Sequence, residues 1–381
     1  MGIPENGFEL YDQLRKENGE IFQSFKHLAR HFEIKARNQG IPLTGKFELT
    51  PLCNFSCKMC YVHLNPDQLK DQSVLPANVW KDLMHQAWKA GMMYSSLTGG
   101  ECLAYPDFDD LYLYLRSLGC EVAVLTNGFL LDEKRIQFFQ EHKPSDIQVT
   151  LYGCNDDVYE RVTGQRAFTT VITNFRQAKD AGLSVYISIT PSKYLGEDIF
   201  ETIRIARELS EKVIINDFYT SPREETGRSG YQDDADTELY IRAIRYLNQL
   251  NGFNPVGISE EKLPPIGGSC HETFECGFQC GGGRSAFAID WKGAITPCTD
   301  MDMIRGYPLK DGFAAAWSSI NREVNNWPRV PECRGCAYED VCNHCAARTL
   351  RYAEPGKVPT GLCEQTREMV RNGALYIPEC E

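Results

Sequence analysis

The sequence lacks the features that would insert a chain into a membrane or export it from the cell. No stretch reaches the roughly 18 consecutive apolar residues of a transmembrane helix. The N-terminus has no basic segment followed by an apolar run, which is the form of a secretory signal. Gly2 is not followed by Ser or Thr at position 6, so a myristoylation signal is absent as well. We therefore expect a soluble, cytoplasmic protein without a membrane partner.

Positive charge is also scarce. Lys and Arg number 40 against 52 Asp and Glu, which gives a formal net charge of −12, and no Lys/Arg stripe occurs. Because binding to nucleic-acid phosphates requires clustered positive charge, we expect no nucleic-acid partner. Internal repeats and low-complexity tracts are absent too, which excludes solenoid and disordered architectures. With 42% hydrophobic and 24% charged residues, the 381-residue chain is expected to form two or more folded domains.

Cysteine is abundant, with 16 residues. Disulfides are rare in a reducing cytosol, so metal binding or catalysis is the better explanation for this many thiols. Six cysteines lie in the first 154 residues, and the other ten begin at position 270. The thiols therefore indicate two separate sites.

Hydrophobic periodicity predicts an α/β fold. Apolar residues at helical spacing predict a helix within 8–40, where Gly40, Ile41 and Pro42 end the pattern. Six β-rich runs then alternate with amphipathic stretches. The predicted strands are 47–50, 94–97, 122–125, 147–151, 185–189 and 213–216. The predicted helices are 77–90, 108–118, 133–141, 169–181 and 198–209. This alternation predicts right-handed βαβ crossovers and a parallel sheet, either open or curled into a partial barrel.

The periodicity stops after the sixth run. A polar segment at 219–236, a helix around 239–247 and a Gly/Pro-rich loop at 251–268 predict a domain boundary. The expected organisation is a helical segment at 1–44, an α/β domain at 45–218, a linker with a bridging helix at 219–269, and a cysteine-rich domain at 270–381.

Cys53, Cys57 and Cys60 directly follow the first predicted strand. Chemistry in parallel sheets is located in the loops after the carboxyl ends of the strands. Iron–sulfur clusters and structural zinc sites usually have four protein ligands, so three thiolates are one ligand short. The motif therefore predicts either a cluster with one iron open to another ligand or a zinc site completed from elsewhere.

This cysteine spacing, with an aromatic residue at Tyr61, resembles the radical S-adenosylmethionine (SAM) enzymes. The resemblance implies a partial (β/α)6, TIM-like barrel whose three cysteines hold a [4Fe–4S] cluster. In that family the open iron chelates the amino and carboxylate groups of SAM. An electron from the cluster then cleaves the sulfonium, and the released 5′-deoxyadenosyl radical abstracts a hydrogen from the substrate.

Gly99, Gly100 and Glu101 follow the second predicted strand. Glycines let a backbone approach a ligand closely, and a carboxylate accepts hydrogen bonds from an amine. The motif resembles the Gly-Gly-Glu of radical SAM enzymes, which touches the SAM amino group. Alone this motif is a common turn, but it lies in register with the cysteine motif.

The resemblance implies further contacts to SAM. Tyr61 belongs to the cysteine motif, Thr150 and Ser188 lie in the fourth and fifth strands near the ribose position, and Arg161 lies where relatives place an Arg that reaches the carboxylate. The alternatives are ordinary strand residues for Thr150 and Ser188, and for Arg161 a surface ion pair with Asp157.

The second cysteine group surrounds a predicted hairpin. Strands at 285–290 and 294–297 flank the turn Trp291-Lys292-Gly293, between Cys280 and Cys298. The remaining cysteines follow as Cys333-x2-Cys336-x5-Cys342-x2-Cys345, with Cys363 after seventeen more residues. Paired Cys-x2-Cys units most often bind zinc. One zinc uses four thiolates, however, and this group contains at least seven.

The group resembles the SPASM domain, a C-terminal extension in which many radical SAM enzymes hold two auxiliary [4Fe–4S] clusters. One departure is the spacing of two residues between Cys342 and Cys345, where many members have three. The resemblance implies an inner cluster on Cys280, Cys298 and Cys345, completed by Cys276 or, less closely matched, Cys270. It implies an outer cluster on Cys333, Cys336, Cys342 and Cys363. The chain would then hold three [4Fe–4S] clusters.

Asp300 lies two residues after Cys298, near the position where sulfatase-maturing relatives carry a catalytic base. Its offset differs from theirs, and a turn carboxylate is the alternative. Among the other thiols, Cys102 lies beside Glu101, whereas Cys120 and Cys154 are expected to be packed or partly exposed, and Cys380 to lie in the tail.

The resemblance implies an oxidoreductase that modifies peptides or proteins, with crosslinked ribosomal peptides as the expected products and a flavodoxin or ferredoxin as the one-electron reductant. The alternatives are an anaerobic sulfatase-maturing enzyme that makes formylglycine, and a non-catalytic zinc or iron–sulfur protein. From the short segment before the first predicted strand, we do not expect a full peptide-recognition domain. Leader recognition is therefore expected to use the helical segment, a barrel surface or a separate partner.

Overall fold

The computed structural model describes residues 25–69, 73–216, 237–253, 277–334, 336–338, 341–342, 345–350 and 352–375. In these ranges eight strands form one sheet, in the order β6-β5-β4-β3-β2-β1-β7-β8. The strands are β1 Thr44–Glu48, β2 Tyr94–Thr98, β3 Glu121–Thr126, β4 Ile147–Thr150, β5 Val185–Ile189, β6 Val213–Ile215, β7 Ala286–Ile289 and β8 Ile295–Thr296. Strands β1 to β6 are parallel, each paired with its neighbour in sequence. The predicted parallel α/β sheet is therefore confirmed.

Helices lie between the strands and after them. They are α1 Phe25–Gln39, α2 Pro66–Leu69, α3 Ala77–Lys89, α4 Phe108–Ser117, α5 Glu133–Glu141, α6 Asp156–Thr163, α7 Phe168–Asp180, α8 Asp198–Leu209, α9 Thr237–Leu250, α10 Pro308–Asp311, α11 Phe313–Asn325, α12 Ala346–Thr349 and α13 Thr360–Arg371. The six strands and five helices predicted from periodicity are present, with ends that differ by at most three residues. No helix in the described ranges is long and apolar enough to cross a membrane.

Strand β1 separates the apolar core from the barrel interior. Phe47 is fully buried, and its ring meets Trp80 of α3 and Phe287 of β7 edge-on, at centroid distances of 6.1 and 6.0 Å. Each such aromatic pair contributes roughly 0.5–1.5 kcal/mol beyond its area burial. Because side chains alternate along a strand, Lys46 and Glu48 lie on the opposite face. The helices therefore cover one face of the sheet, and the other face is left for polar side chains.

The cysteine-rich segment continues the barrel sheet. The predicted hairpin is confirmed as β7 and β8, and β7 pairs in parallel with β1 from Thr44 opposite Ala286 to Phe47 opposite Ile289. In the hairpin turn, Asp290 Oδ1 accepts hydrogen bonds from the backbone N–H groups of Lys292 and Ala294. The adjacent Trp291 packs against Val62 and Leu64, just after Cys60. The hairpin thus joins the loop of the first cysteine motif to the C-terminal cysteines.

The end of α1 is anchored on the same C-terminal segment. Arg37 Nη1 donates to the carbonyl of Gln279 at 3.0 Å, and Trp317 Nε1 of α11 donates to the carbonyl of Gly40 at 2.7 Å. Of the predicted helix at 8–40, the structure describes only the part that forms α1. Several other predicted features lie outside the described residues: the polar segment at 219–236, most of the Gly/Pro-rich loop at 251–268, Cys270, Cys276 and Cys380. The predicted domain boundaries stay predictions.

Candidate active site

A cavity of about 320 Å³ opens at the carboxyl ends of the parallel strands. Its walls combine the first cysteine motif, polar residues at the ends of successive strands, and two residues from beyond the β7–β8 hairpin. Among the lining residues are Lys46, Cys53, Cys57, Cys60, Tyr61, Thr98, Gly99, Gly100, Asn127, Gln148, Thr150, Tyr152, Thr190, Asn216, Thr299 and Asp300. The structure therefore brings Asp300 to the same cavity as the three cysteines, although about 240 residues separate them.

The cysteine loop is fixed from behind by α6. The backbone N–H groups of Ser56 and Lys58 donate to the carbonyls of Thr163 and Val162 at 2.9 and 3.0 Å. Phe55 is buried, with ring contacts to Phe129, Tyr152 and Tyr159 at centroid distances of 5.8 to 6.4 Å. The loop thus places its three cysteines on the cavity wall while its aromatic side chain packs in the core.

Each thiol of the motif accepts a hydrogen bond. The backbone N–H of Phe55 lies 3.3 Å from Cys53 Sγ, and that of His63 lies 3.2 Å from Cys60 Sγ. The hydroxyl of Tyr152 hydrogen-bonds Cys57. Donors that face a sulfur stabilise the thiolate, which is the form that ligates iron. The donor set therefore fits an iron–sulfur cluster.

Burial acts in the opposite direction on these thiols. It raises the pKa of Cys53 to about 12, an effect increased by the charge of Glu101, and it raises the pKa of Cys57 well above its usual value. A buried thiolate requires positive charge beside it, and a metal centre supplies that charge on binding. The motif is therefore suited to cluster ligands rather than to free nucleophilic thiols.

Gly99 and Gly100 lie where no side chain fits. Gly99 has a φ of +136°, and a Cβ on it would lie 2.4 Å from the carbonyl oxygen of Thr50. A Cβ on Gly100 would lie 2.4 Å from that of Leu52. The N–H of Gly100 donates to the Thr50 carbonyl at 2.6 Å. The turn after β2 is therefore pressed against the cysteine loop, and its bare backbone lines the cavity.

Glu101 is buried and forms its hydrogen bonds within the fold. Its Oε1 accepts from Leu103 N at 3.0 Å and Thr126 Oγ1 at 2.8 Å, and its Oε2 accepts from Asn127 N at 2.8 Å. Burial raises the pKa of the carboxyl group. Glu101 is absent from the cavity lining and instead ties the end of β2 to the end of β3.

The next thiol, Cys102, belongs to the core. It is fully buried, its Sγ lies 3.3 Å from the carbonyl of Leu125, and burial raises its pKa well above the usual value. As predicted, Cys120 is buried and Cys154 partly buried. None of the three lines the cavity.

The remaining residues predicted to contact SAM fall into two groups. Tyr61 and Thr150 line the cavity, and the Tyr61 hydroxyl donates to Glu48 Oε1 at 2.7 Å. Ser188 is fully buried behind Asn216, whose Nδ2 lies 3.1 Å from the Ser188 hydroxyl. The cavity lining includes Asn216 but not Ser188.

Arg161 lies on α6 and is not among the residues that line the cavity. Its guanidinium donates to the carbonyl of Tyr194 at 2.9 Å and pairs with Asp198. The alternative ion pair with Asp157 is wrong, because Asp157 pairs with Arg166 instead. Arg161 therefore fastens α6 to the start of α8.

Several lining residues were missed in the sequence. Asn127, Tyr152, Thr190 and Asn216 each follow the end of a parallel strand, and Lys46 lies within β1. The rule that selects Thr150, a polar residue at a strand end, would have found the first four. Lys46 has no such signal, because only the alternation of β1 turns it inward.

Cys280, Cys345 and Asp300 are all close enough to Cys298 to affect its pKa. The pKa of Cys298 is raised to about 12, mainly by burial, with further contributions from the charges of Asp300, Cys345 and Cys280. Cys345 is likewise affected by burial and by Cys280. Three predicted ligands of the inner cluster are therefore neighbours.

The four predicted outer ligands also converge. Cys333, Cys336, Cys342 and Cys363 line one cavity of about 30 Å³. Burial raises the pKa of Cys333 to about 12, and the other three thiols add to this shift. In the described ranges no three His, Cys, Asp or Glu side chains are arranged to bind one single metal ion. A four-iron cluster has one thiolate on each iron, so its cysteines need not meet at one point.

Residues 47–209, from β1 through α8, match the radical SAM superfamily. Curated relatives include the antilisterial bacteriocin subtilosin biosynthesis protein AlbA of Bacillus subtilis, which is 23% identical over 301 residues. That match covers 76% of this chain and 62% of AlbA, so the chain spans less than two thirds of that relative. The AdoMet-dependent heme synthase of Methanosarcina barkeri is 24% identical over 336 residues, covering 81% of this chain and 92% of the relative.

The structure is similar to that of SuiB from Streptococcus suis bound to its precursor peptide SuiA. The TM-score is 0.66 at 17% sequence identity, and the match covers 94% of this chain and 87% of SuiB. This likeness extends through the cysteine-rich segment and confirms the predicted fold class, a partial barrel followed by a SPASM-type domain. The sheet, its cysteine motif and the superfamily match together show that residues 47–209 form a radical SAM domain.

Proposed function

We propose that the protein is a radical SAM enzyme that oxidatively modifies a peptide or protein substrate, with a crosslinked ribosomal peptide as the expected product. The observation that carries this proposal is the shared cavity. The cysteine motif, the Gly99-Gly100 backbone and Asp300 of the C-terminal segment all line it. The residues proposed to hold the SAM-binding cluster and the proposed base Asp300 therefore line the same cavity.

Two of the similar proteins support a peptide substrate. AlbA is named for the biosynthesis of a bacteriocin, and the structure of SuiB holds a bound precursor peptide. The heme synthase, by contrast, is named for a product that is not a peptide, although the match covers most of both chains. A test of the substrate therefore needs to include a non-peptide outcome.

Cys53, Cys57 and Cys60 would hold the SAM-binding cluster. When bound, cluster and SAM supply the electron and the 5′-deoxyadenosyl radical that abstracts a substrate hydrogen. Gly99 and Gly100, which line the cavity, would present their backbone to the SAM amino group. Glu101 shapes that turn from behind, through its bonds to Leu103, Thr126 and Asn127.

The other predicted contacts divide according to their position. Tyr61 and Thr150 line the cavity and would contact SAM directly. Ser188 would act only through Asn216, to which it is hydrogen-bonded. Arg161 fixes the segment around Tyr194 and Asp198, next to the cysteine loop.

The C-terminal thiols would hold the two auxiliary clusters. The inner one uses Cys280, Cys298 and Cys345 with Cys276 or Cys270, and the outer one uses Cys333, Cys336, Cys342 and Cys363. Asp300 lines the cavity and is close enough to Cys298 to affect its pKa, which supports a role in accepting a proton from the substrate as an electron passes to the inner cluster. A flavodoxin- or ferredoxin-type reductant would supply electrons to the SAM-binding cluster.

Anaerobic reconstitution with iron and sulfide tests the cofactor content. Three four-iron clusters require about twelve irons per chain. Reduction with dithionite in the presence of SAM should then yield 5′-deoxyadenosine. Two or three tightly bound zincs and no 5′-deoxyadenosine would instead establish the non-catalytic alternative.

Co-expression with the small peptides encoded beside the gene tests the substrate. We expect the mass of one of these peptides to fall by the mass of the hydrogen atoms lost, and tandem mass spectrometry to locate the change at a crosslink. A formylglycine product in a neighbouring sulfatase would establish the alternative maturase reaction. A modified tetrapyrrole with every peptide unchanged would refute the peptide substrate.

A further inference from the structure

Asn127 places a buried amide directly beside the first cysteine of the SAM motif. It follows β3, and only 5% of its surface is exposed. Its Nδ2 lies 3.6 Å from Cys53 Sγ and 2.8 Å from Asn54 Oδ1. Its Oδ1 accepts the backbone N–H of Phe129 at 3.0 Å. Because the carbonyl side of the amide already has a donor, the NH2 side is the one that faces the sulfur.

Two further side chains hold Asn127 in this position. Its backbone N–H donates to Glu101 Oε2 at 2.8 Å. Asn174 of α7 donates through Nδ2 to the carbonyls of Gly128 and Phe129 at 3.0 and 2.9 Å. The turn after β3 is thus fixed from both sides, and the distance between the amide and the sulfur is set by the fold.

Asn54, next to Cys53 in the sequence, has a donor that the fold leaves unused. Its Oδ1 accepts from Asn127, whereas its Nδ2 is buried and has no hydrogen-bond partner among the described residues. Buried donors are normally paired, so an unpaired one beside a ligand position indicates an acceptor in the group that occupies the site. Sulfide, ligand sulfur and the SAM carboxylate are all acceptors.

We propose that Asn127 and Asn54 form an amide pair that raises the reduction potential of the SAM-binding cluster. Asn127 donates to Cys53 Sγ, and Asn54 donates to the group bound beside it. A donor that faces a ligand sulfur stabilises the more negative, reduced state of a cluster. The inference rests on the proposed cluster at Cys53, Cys57 and Cys60. Asn127 is a positioning and tuning residue that contacts a ligand.

Two substitutions of Asn127 test the hydrogen bond to Cys53. Asn127→Leu removes the amide donor and keeps a side chain of similar volume. Asn127→Ser keeps an oxygen that can accept the hydrogen bond from Phe129 N, but its side chain is too short to reach Cys53. Asn174→Leu is the matched control, because it removes the other support of the turn without touching the sulfur. Each full-length protein is reconstituted anaerobically and titrated potentiometrically, with the reduced clusters followed by electron paramagnetic resonance. The signal followed is the one that changes when SAM is added, which separates the first cluster from the others.

We expect both Asn127 variants to lower the equilibrium constant for reduction by about tenfold, which is about 59 mV for a one-electron couple. Asn174→Leu keeps the Asn127 donor and only loosens its support, so it should lower this constant by clearly less than the Asn127 variants do. Because the potential is read from loaded clusters, incomplete loading does not alter it. An unshifted potential in the Asn127 variants, or an equal shift in Asn174→Leu, would overturn the proposal. A wild-type protein without any SAM-sensitive signal would instead overturn the proposed function.

Discussion

Replacing Glu101 by Ala should destabilise the protein strongly, although Glu101 does not line the cavity. The carboxylate accepts hydrogen bonds from two backbone N–H groups, those of Leu103 and Asn127, and from the Thr126 hydroxyl, at 2.8 to 3.0 Å. Only 1% of the residue is exposed, so water cannot replace the lost acceptor. The change therefore leaves two buried donors without a partner.

The structure sets the size of this effect. Each buried donor left unsatisfied costs roughly 1–3 kcal/mol, so two of them cost about 2–6 kcal/mol of unfolding free energy. The Thr126 hydroxyl can rotate to another acceptor and is left out. Burial raises the pKa of Glu101, which means that the native carboxylate is itself disfavoured. Removing this disfavoured buried charge offsets part of the lost stability, so we expect the unfolding free energy to fall by an amount in the lower half of that range.

Urea unfolding of the apo-protein, followed by circular dichroism, measures this change. Glu101→Gln keeps one acceptor oxygen and should lose less stability than Glu101→Ala. Glu121→Ala is the control, since the Glu121 side chain forms an exposed ion pair with Arg116, and such pairs contribute about 0–1 kcal/mol. A loss in Glu101→Ala no larger than that in Glu121→Ala would refute the argument.

Three other perturbations test the same geometry. Changing Cys53, Cys57 and Cys60 together to Ala should abolish 5′-deoxyadenosine formation after reduction, whereas Cys154→Ala should preserve it. Undiminished formation in the triple variant would show that the radical chemistry takes place elsewhere. Gly99→Ala should weaken SAM binding in equilibrium dialysis by about tenfold or more, because strained backbone costs roughly 1–3 kcal/mol and the new Cβ meets the Thr50 carbonyl at 2.4 Å. Gly252→Ala is the control, because Gly252 has a φ of +78° and a Cβ added there would have no heavy atom within 4 Å. This variant should bind SAM normally. An equal loss of SAM affinity in Gly99→Ala and Gly252→Ala would contradict the steric argument. Finally, burial raises the pKa of Cys298 from 9.0 to about 12 in the fold. Between these values the unfolded chain releases the proton and the native state keeps it, so apo-protein stability should fall as pH rises from 9 to 12. Cys298→Ser should flatten that slope in urea unfolding at several pH values, and an unchanged slope would exclude Cys298 as its source.

Local sequence determined the elements of this protein and the composition of its sites. Strands β1 to β6 and the helices between them follow from hydrophobic spacing over a few residues, which acts before any long-range contact forms. The β7–β8 hairpin follows from a turn with Gly293 at a φ of +86°. Cys53, Cys57 and Cys60 share one short loop, so their common location requires no knowledge of the fold.

Only the tertiary structure decided which distant residues meet and where their side chains point. The pairing of β7 with β1 brings Asp300 to the cavity, and no local pattern specifies that partner strand. Glu101 lies next to two cavity-lining glycines, yet its carboxylate turns to the end of β3, where Thr126 and Asn127 supply donors. A motif thus specifies residue types at a spacing, whereas the orientation of each side chain depends on the hydrogen-bond partners that neighbouring strands bring to it.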